Sequence, residues 1–172
     1  PPAGRPPGAE VIAMALLSNL GSRLPRRWKP SVYRALSLYP PFRGAGIRVA
    51  KVSEDLRTFE VRTAFRFWNR NYVGTQFGGS LYAMCDPFFM LILMEALGPG
   101  YVVWDKAAAI RFRRPGRGPV RAVFHVPAER VEEIRRAADG APKVEPVFRV
   151  EVRDEAGEVV AEVEKTLHVR RR

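Results

Sequence analysis

Apolar and polar residues follow two different patterns along this chain. Alternation with a period of two predicts strands at Ile47–Val52 and Arg57–Phe67, whose apolar side chains would share one half-buried face. From Asn69 the pattern changes to a glycine-rich stretch and then a long, nearly unbroken apolar run. Gly98 suits the residue just past a helix C-terminus, and Pro99 cannot extend the helix. The run therefore predicts one buried helix that protein encloses on all sides.

Four more strands are predicted after this helix, with one amphipathic helix at Ala128–Ala138. These strands are Val102–Arg113, Val120–Val126, Val144–Asp154 and Val159–Val169. Strands that gather after a helix, without several alternating helices, indicate an α+β fold with an antiparallel sheet. We predict about six strands wrapped around one long central helix, with a second subunit covering the outer face of the sheet.

Residues 1–45 form a separate N-terminal arm, and residues 46–172 form the main domain. Proline and glycine predict a disordered lead over residues 1–9, followed by an amphipathic helix at Glu10–Leu20. A second short helix is predicted at Ser31–Leu38, ended by Pro40 and Pro41. Basic residues in this arm could contact a membrane surface. Packing across its own domain or a partner subunit is the favoured interpretation.

Composition narrows the class of protein. With 47% hydrophobic and 27% charged residues, the chain is typical of a soluble globular protein. Its one cysteine, Cys85, excludes an internal disulfide and indicates a reducing cytoplasm. Cys85 has no neighbouring cation that would activate it, which favours a packed thiol. One cysteine and two histidines, His125 and His168, do not make a metal-ligand cluster.

The net charge of +11 is compatible with nucleic acid, anionic lipid or a phosphorylated substrate as a partner. No helix-turn-helix, zinc-finger spacing or aromatic stacking motif accompanies the charge, so nucleic acid is disfavoured. A solvated surface accounts for most of the basic residues.

Asp86 is the one acid in the first half of the apolar run, and Pro87 follows it. A buried ionised carboxylate costs several kcal/mol unless it is paired or lies at a cavity. Proline removes an amide donor and disfavours helical geometry at the preceding residue, so a kink is predicted here. The pair also splits the run, which argues against a membrane span. The residues alone leave open whether Asp86 is a structural acid or part of a site.

The element order and glycine pattern resemble a known family. A sheet wrapped on one long helix is the hot-dog fold, and this chain resembles phenylacetic-acid-degradation thioesterases. In that family an Asn, a Gly three residues later, a His-Gly-Gly triplet and an Asp open the central helix. The matching residues here are Asn71, Gly74, Gly78, Gly79 and Asp86, with Phe77 in the place of the His. The nearer resemblance is to the hot-dog family of unknown function number 4442, and together these cover roughly residues 45–170.

The resemblance implies a thioesterase acting on acyl-CoA or acyl-carrier substrates, with coenzyme A as part of the substrate and no other cofactor. Asp86 would be the general base or nucleophile, and amides of Gly78 or Gly79 would stabilise the oxyanion. Asn71 or Gln76 would orient water or the carbonyl. Implied substrate-binding residues, some for the phosphates of coenzyme A, are Gly74, Phe77, Lys106, Arg111, Arg113 and Arg114. The site would lie between subunits of a dimer or a dimer of dimers.

Two alternatives to a thioesterase remain. In one, loss of the histidine at Phe77 leaves a non-catalytic binder of acyl ligands. In the other, the basic surface binds nucleic acid or a membrane. Lys165 lies on the apolar face of the last predicted strand, and we expect it to mark a subunit contact.

Overall fold

The computed structural model describes residues 25–172, so the predicted lead and the Glu10–Leu20 helix lie outside the described residues. The described part of the arm is helical. It contains a 3-10 turn at Arg26–Trp28, α1 at Lys29–Arg34, a second 3-10 turn at Ala35–Leu38 and α2 at Pro40–Ala45. The helical prediction for residues 31–38 is confirmed, but Pro40 and Pro41 begin α2 and do not merely stop the preceding turn. Proline fits the first helical turn because the amide there has no intrahelical acceptor.

Six antiparallel strands form a single sheet in the order β1-β2-β4-β5-β6-β3. Their bounds are β1 Ile47–Val52, β2 Thr58–Thr63, β3 Tyr101–Phe112, β4 Val120–His125, β5 Val147–Asp154 and β6 Val159–Arg171. Three further helices lie between them, α3 Gly78–Ala83, α4 Phe88–Leu97 and α5 Ala128–Gly140. The predicted α+β class and antiparallel sheet are confirmed.

The second strand is shorter than its alternating pattern predicts. β2 ends at Thr63, and Phe67 lies in a 3-10 turn with 81% of its surface exposed. The buried Asn69 side chain explains this departure, because its amide donates to the carbonyl oxygens of Ala45 (3.0 Å) and Ala64 (2.7 Å). These bonds occupy backbone acceptors beside the strand end and turn the chain out of the sheet.

The central helix is broken at the predicted place, between α3 and α4. Gly98 follows α4 with a positive φ of 83°, as expected for a glycine that ends a helix. The prediction of complete enclosure is wrong, because Met94 is exposed and the Asp86 side chain is half-exposed. By length and hydropathy Gly78–Leu97 could cross a membrane, and half of its apolar window is buried in the protein.

Charged residues cover the outer face of the sheet, and they pair across and along strands. Examples are Arg62 with Glu60, Arg149 with Glu164 and Arg113 with Glu162. Ion pairs therefore stabilise the charges of this face within one chain, and its coverage by a second subunit stays a prediction. Most apolar residues of the strands face inward and pack on α3, α4 and α5, whereas Val123 and Val147 are exposed.

Candidate functional site

The break in the central helix places Asp86 at the surface of an otherwise apolar segment. After α3, the Cys85 amide donates to Tyr82 (2.8 Å) and the Asp86 amide to Ala83 (3.3 Å), both three residues back. Pro87 then has no amide to donate, and the Leu91 amide restarts helical bonding at the Pro87 carbonyl (2.9 Å). The Asp86 side chain is 49% exposed, so it does not lie in solid packing.

Two donors hold the same oxygen of Asp86. Lys165 Nζ donates to Oδ1 at 2.9 Å, and the Tyr82 hydroxyl donates to Oδ1 at 3.1 Å. Among the described residues, Oδ2 accepts no hydrogen bond. The carboxylate is therefore fixed through one oxygen and presents the other outward.

Lys165 is completely buried, with 0% of its side chain exposed. Its Nζ lies 2.9 Å from Asp86 Oδ1 and 3.0 Å from Asp105 Oδ1, which places the ammonium between two carboxylates. Burial opposes the charge, but the hydrogen bonds to Asp86 and Asp105 outweigh it and raise the pKa of Lys165. The prediction that Lys165 marks a subunit contact is wrong, since its partners are in its own chain.

The paired glycines at the start of α3 are covered by aromatic rings. A Cβ on Gly78 would meet the Phe112 ring at 2.9 Å, and a Cβ on Gly79 would meet the Phe77 ring at 2.5 Å. Close packing therefore accounts for both glycines. Their amides belong to the first helical turn and have no backbone acceptor among the described residues, so they remain available to an external oxygen.

Asn71, Gly74 and Gln76 build the loop that leads into α3. Asn71 Oδ1 accepts from the amides of Val73 (3.2 Å) and Thr75 (2.9 Å), while Gly74 has a φ of 77° that glycine adopts without strain. Gln76 is buried, and its Nε2 donates to the carbonyls of Ala64 and Gly118. The Asn71 and Gln76 side chains therefore hold the loop that positions α3, while Gln76 Oε1 is buried without a hydrogen-bond partner among the described residues. Their role in orienting water or the carbonyl stays a prediction.

The basic candidates are not gathered beside Asp86 within one chain. Lys106 pairs with Glu145 (2.6 Å), Arg113 pairs with Glu162 and Arg114 pairs with Asp154. Arg111 lies opposite Glu162 on the outer face of the sheet, away from the helix, and lines a cleft of about 280 Å³ there. A second cleft of about 460 Å³ separates the arm from α5, and neither cleft includes Asp86 or Gly78.

The one cysteine, Cys85, is buried, and its thiol is protonated. Cys85 is fully buried and free, and burial raises the pKa of its thiol to about 12. The prediction of a packed thiol is confirmed.

Sequence reasoning missed Tyr82 and Asp105 as neighbours of the candidate acid. A usable signal existed, because Asp105 and Lys165 are both ionisable residues on inward positions of strands that are otherwise apolar. Joining them requires the β3–β6 pairing, in which Asp105 lies opposite Leu167 and Ala108 lies opposite Lys165.

Comparison with family models gives one match, to the domain of unknown function DUF4442, over residues 31–169. A comparison with curated proteins finds no match.

Solved structures share the hot-dog fold with this chain. A Pseudomonas aeruginosa protein of unknown function, PA5026, described as a probable thioesterase, has 23% identity and a TM-score of 0.75, covering 87% of this chain and 97% of its own. The thioesterase HI1161 of Haemophilus influenzae has 16% identity and a TM-score of 0.60, covering 82% and 90%. A mutant form of the phenylacetic acid degradation protein PaaI of Thermus thermophilus has 25% identity and a TM-score of 0.51, covering 75% and 97%. The predicted hot-dog fold is therefore confirmed.

Proposed function

The chain belongs to the DUF4442 family, and we propose that it is a thioesterase that hydrolyses acyl-CoA or acyl-carrier thioesters. The observation that carries this proposal is the Asp86 carboxylate, which is half-exposed at a helix break, with Oδ1 held by two donors and Oδ2 bonded to none of residues 25–172. Thioesterases among the solved hot-dog structures support the same reaction class.

Two routes of hydrolysis use the free oxygen of Asp86. In the first, Oδ2 takes a proton from water while the water oxygen bonds to the thioester carbonyl carbon; the C–S bond then breaks, and Asp86 returns the proton to the thiolate. In the second, Oδ2 attacks the carbonyl carbon, the thiolate leaves, and water hydrolyses the resulting anhydride. An acyl adduct in the mass of acid-quenched protein would select the second route.

Amides of Gly78 and Gly79 would stabilise the oxyanion, and they would come from a second protomer. Gly78 and Asp86 are separated by eight positions along the helical segment, about 12 Å at 1.5 Å per residue. General base and oxyanion donor must each lie roughly 3 Å from the reacting atoms. One chain cannot bring both to one carbonyl, so a complete site needs the acid of one subunit and the amides of its partner.

Two exposed features support a dimer. Strand β3 is an edge of the sheet, 12 residues long, with alanines at positions 107–109 that let another chain approach its unpaired backbone groups. The loop before α3 exposes large apolar side chains, including Phe67, Tyr72, Val73 and Phe77. Exposed apolar groups beside an open strand edge are typical of a subunit interface.

Phosphates of coenzyme A would bind basic residues at the end of β3 and just after it. Arg111 is in none of the ion pairs of the described residues, whereas Arg113 and Arg114 already face acids. Arg111 is therefore the best candidate for a phosphate contact, reached by an extended ligand or contributed to the neighbouring site.

The test compares wild type, D86N and D139N in the hydrolysis of acyl-CoAs of increasing chain length. The rate is measured as thiol release. Asp139 is a matched control, because its Oδ1 accepts from the Tyr101 hydroxyl (2.7 Å) and lies 3.5 Å from an Arg171 nitrogen. We expect D86N to lose activity and D139N to keep it. Equal rates for wild type and D86N would remove Asp86 from the chemistry.

The rival function is binding of an acyl ligand without turnover. It is favoured by Phe77, whose ring covers Gly79 where the related thioesterases have a histidine. Tight acyl-CoA binding by wild type, with no thiol release from any acyl chain, would support the binder and reject the enzyme.

A further inference from the structure

A completely buried lysine lies between two carboxylates directly behind the candidate acid. Lys165 Nζ is 2.9 Å from Asp86 Oδ1 and 3.0 Å from Asp105 Oδ1. Apart from this ion pair, Asp105 Oδ1 is buried without a hydrogen-bond partner among the described residues. The amine therefore supplies the counter-charge for both acids.

Stability alone is a weak reason for such a cluster. Apolar residues of similar volume usually replace a buried ion pair at no cost or with a gain in stability, whereas removing one partner leaves an uncompensated charge. The inward neighbours of Lys165 on β6, Val163 and Leu167, are apolar. The fold itself would be served equally well by apolar residues at positions 105 and 165 together.

The ionisable groups around the amine come from three elements. Tyr82, Cys85 and Asp86 come from α3 and the break that follows it, and Asp105 comes from β3. Phe148 of β5 lies opposite Lys165 and brings no charge. Burial raises the pKa of Asp105, the thiol of Cys85 stays protonated, and the Tyr82 hydroxyl donates to Asp86. Lys165 is thus the cation of the cluster.

A β-bulge brings Asp105 into the cluster. The register of β3 against β6 shifts between Asp105 and Ala107, so Asp105 opposes Leu167 while Ala107 opposes Thr166. The extra residue, Lys106, points out of the cluster and pairs with Glu145. Bulges re-aim side chains in this way and are frequent beside active sites.

We propose that Lys165 is a positioning residue that fixes Asp86 through Oδ1 and leaves Oδ2 without a hydrogen bond from any described residue, and that Asp105 holds the lysine in place from behind. This rests on the proposed thioesterase function of Asp86. Without the ammonium, Asp86 and Asp105 would be two acids at one site, and close like charges favour a shared proton.

The experiment compares wild type, K165M, the double variant K165M/D105N and K29M. Lys29 is the matched control, since its Nζ lies 2.6 Å from Glu95 on the same helical segment and its side chain is only 16% exposed. The first readout is the pH dependence of kcat and of KM for an acyl-CoA that wild type hydrolyses. The second readout needs no turnover: titration of ¹³C-labelled aspartate carboxyls by NMR.

In K165M we expect the acid limb of the rate profile to move up by at least about one pH unit, with kcat about ten-fold lower and KM little changed. K165M/D105N should recover part of the shift, because it removes one acid together with the cation. K29M should keep the wild-type profile. If K165M does not fold, K165M/D105N is used for the test, because of Asp86 and Asp105 it keeps only the Asp86 acid.

The proposal is overturned if K165M keeps the wild-type pH profile and the wild-type carboxyl titration or, where K165M does not fold, if K165M/D105N keeps both. Failure of the proposed function is a separate result. If no acyl-CoA is hydrolysed by any of the proteins, the thioesterase is rejected, while the ¹³C titration still decides whether Lys165 acts on the Asp86 carboxyl.

Discussion

Gly78 offers a way to delete one backbone amide without breaking the helix that carries it. It is the first residue of α3, and proline is well tolerated there because its missing N–H has no intrahelical acceptor. The preceding Phe77 has φ −67° and ψ 125°, an extended conformation that a residue before proline readily adopts. We therefore expect Gly78→Pro to fold and to lack one proposed oxyanion donor.

Gly78→Ala is the matched control, because it adds a Cβ and keeps the N–H. That Cβ would meet the end of the Phe112 ring at 2.9 Å in both variants, and Phe112 is 57% exposed and can turn away. Loss of one oxyanion donor lowers kcat by about 10²–10³, or roughly 2.7–4 kcal/mol. We expect this loss in Gly78→Pro relative to Gly78→Ala, measured as thiol release at saturating acyl-CoA. Equal kcat values for the two variants would refute the role of this amide.

The same variant tests whether the site is shared between subunits. In a heterodimer of Gly78→Pro and D86N chains, purified through two different tags, one of the two sites would combine an intact acid with intact amides. Such a heterodimer should recover about half of the wild-type activity, whereas each parent homodimer is impaired at both sites. If acid and amide acted within one chain, the heterodimer would contain no intact site and would show no recovery.

Three further predictions concern single side chains. Cys85, buried with a thiol pKa near 12, should react with a thiol reagent at pH 8 only as fast as the protein unfolds, and rapid stoichiometric labelling of native protein would contradict its burial. Lys29→Met should lower the free energy of unfolding by about 1–2 kcal/mol in urea, since it leaves the largely buried Glu95 without its cation. Arg111→Gln should raise KM for acyl-CoA but leave KM unchanged for acyl-pantetheine, which lacks the nucleotide phosphates. The same substitution at Arg113, which is already paired with Glu162, should have a smaller effect. Equal effects of Arg111→Gln on both substrates would argue against a phosphate contact.

Local patterns predicted the elements whose structure depends on local chemistry. β1 has the predicted bounds, and the helix ends at Gly98 as its position before Pro99 indicated. Prediction failed where a distant contact overrides the pattern. Phe67 continues the alternation of β2 in sequence, but the Asn69 side chain binds carbonyls of the strand end and of α2, and the chain leaves the sheet.

In the candidate site, too, the local feature was predicted and the distant contact was not. Asp86 was identified from its place in the apolar run beside Pro87, which is local information. Its partner Lys165 is 79 positions away on β6 and reaches it only when the sheet packs against the helix break. The sequence pattern of β6 shows that Lys165 points inward. Neither that pattern nor the pattern of the apolar run shows that Lys165 contacts Asp86.

A second lysine–acid–tyrosine cluster on the same helical segment shows why the one at Asp86 points to chemistry. At Glu95, Lys29 donates to Oε2 and the Tyr33 hydroxyl donates to Oε1, each at 2.6 Å, so both oxygens are used and the arm is tied to α4. At Asp86 both donors converge on Oδ1. A lysine, a tyrosine and an acid therefore give a carboxylate with both oxygens used at Glu95, and at Asp86 a carboxylate with one outward oxygen that accepts from no described residue. A carboxylate that only ties elements together gains from using both oxygens, whereas a base or nucleophile needs one of them unoccupied.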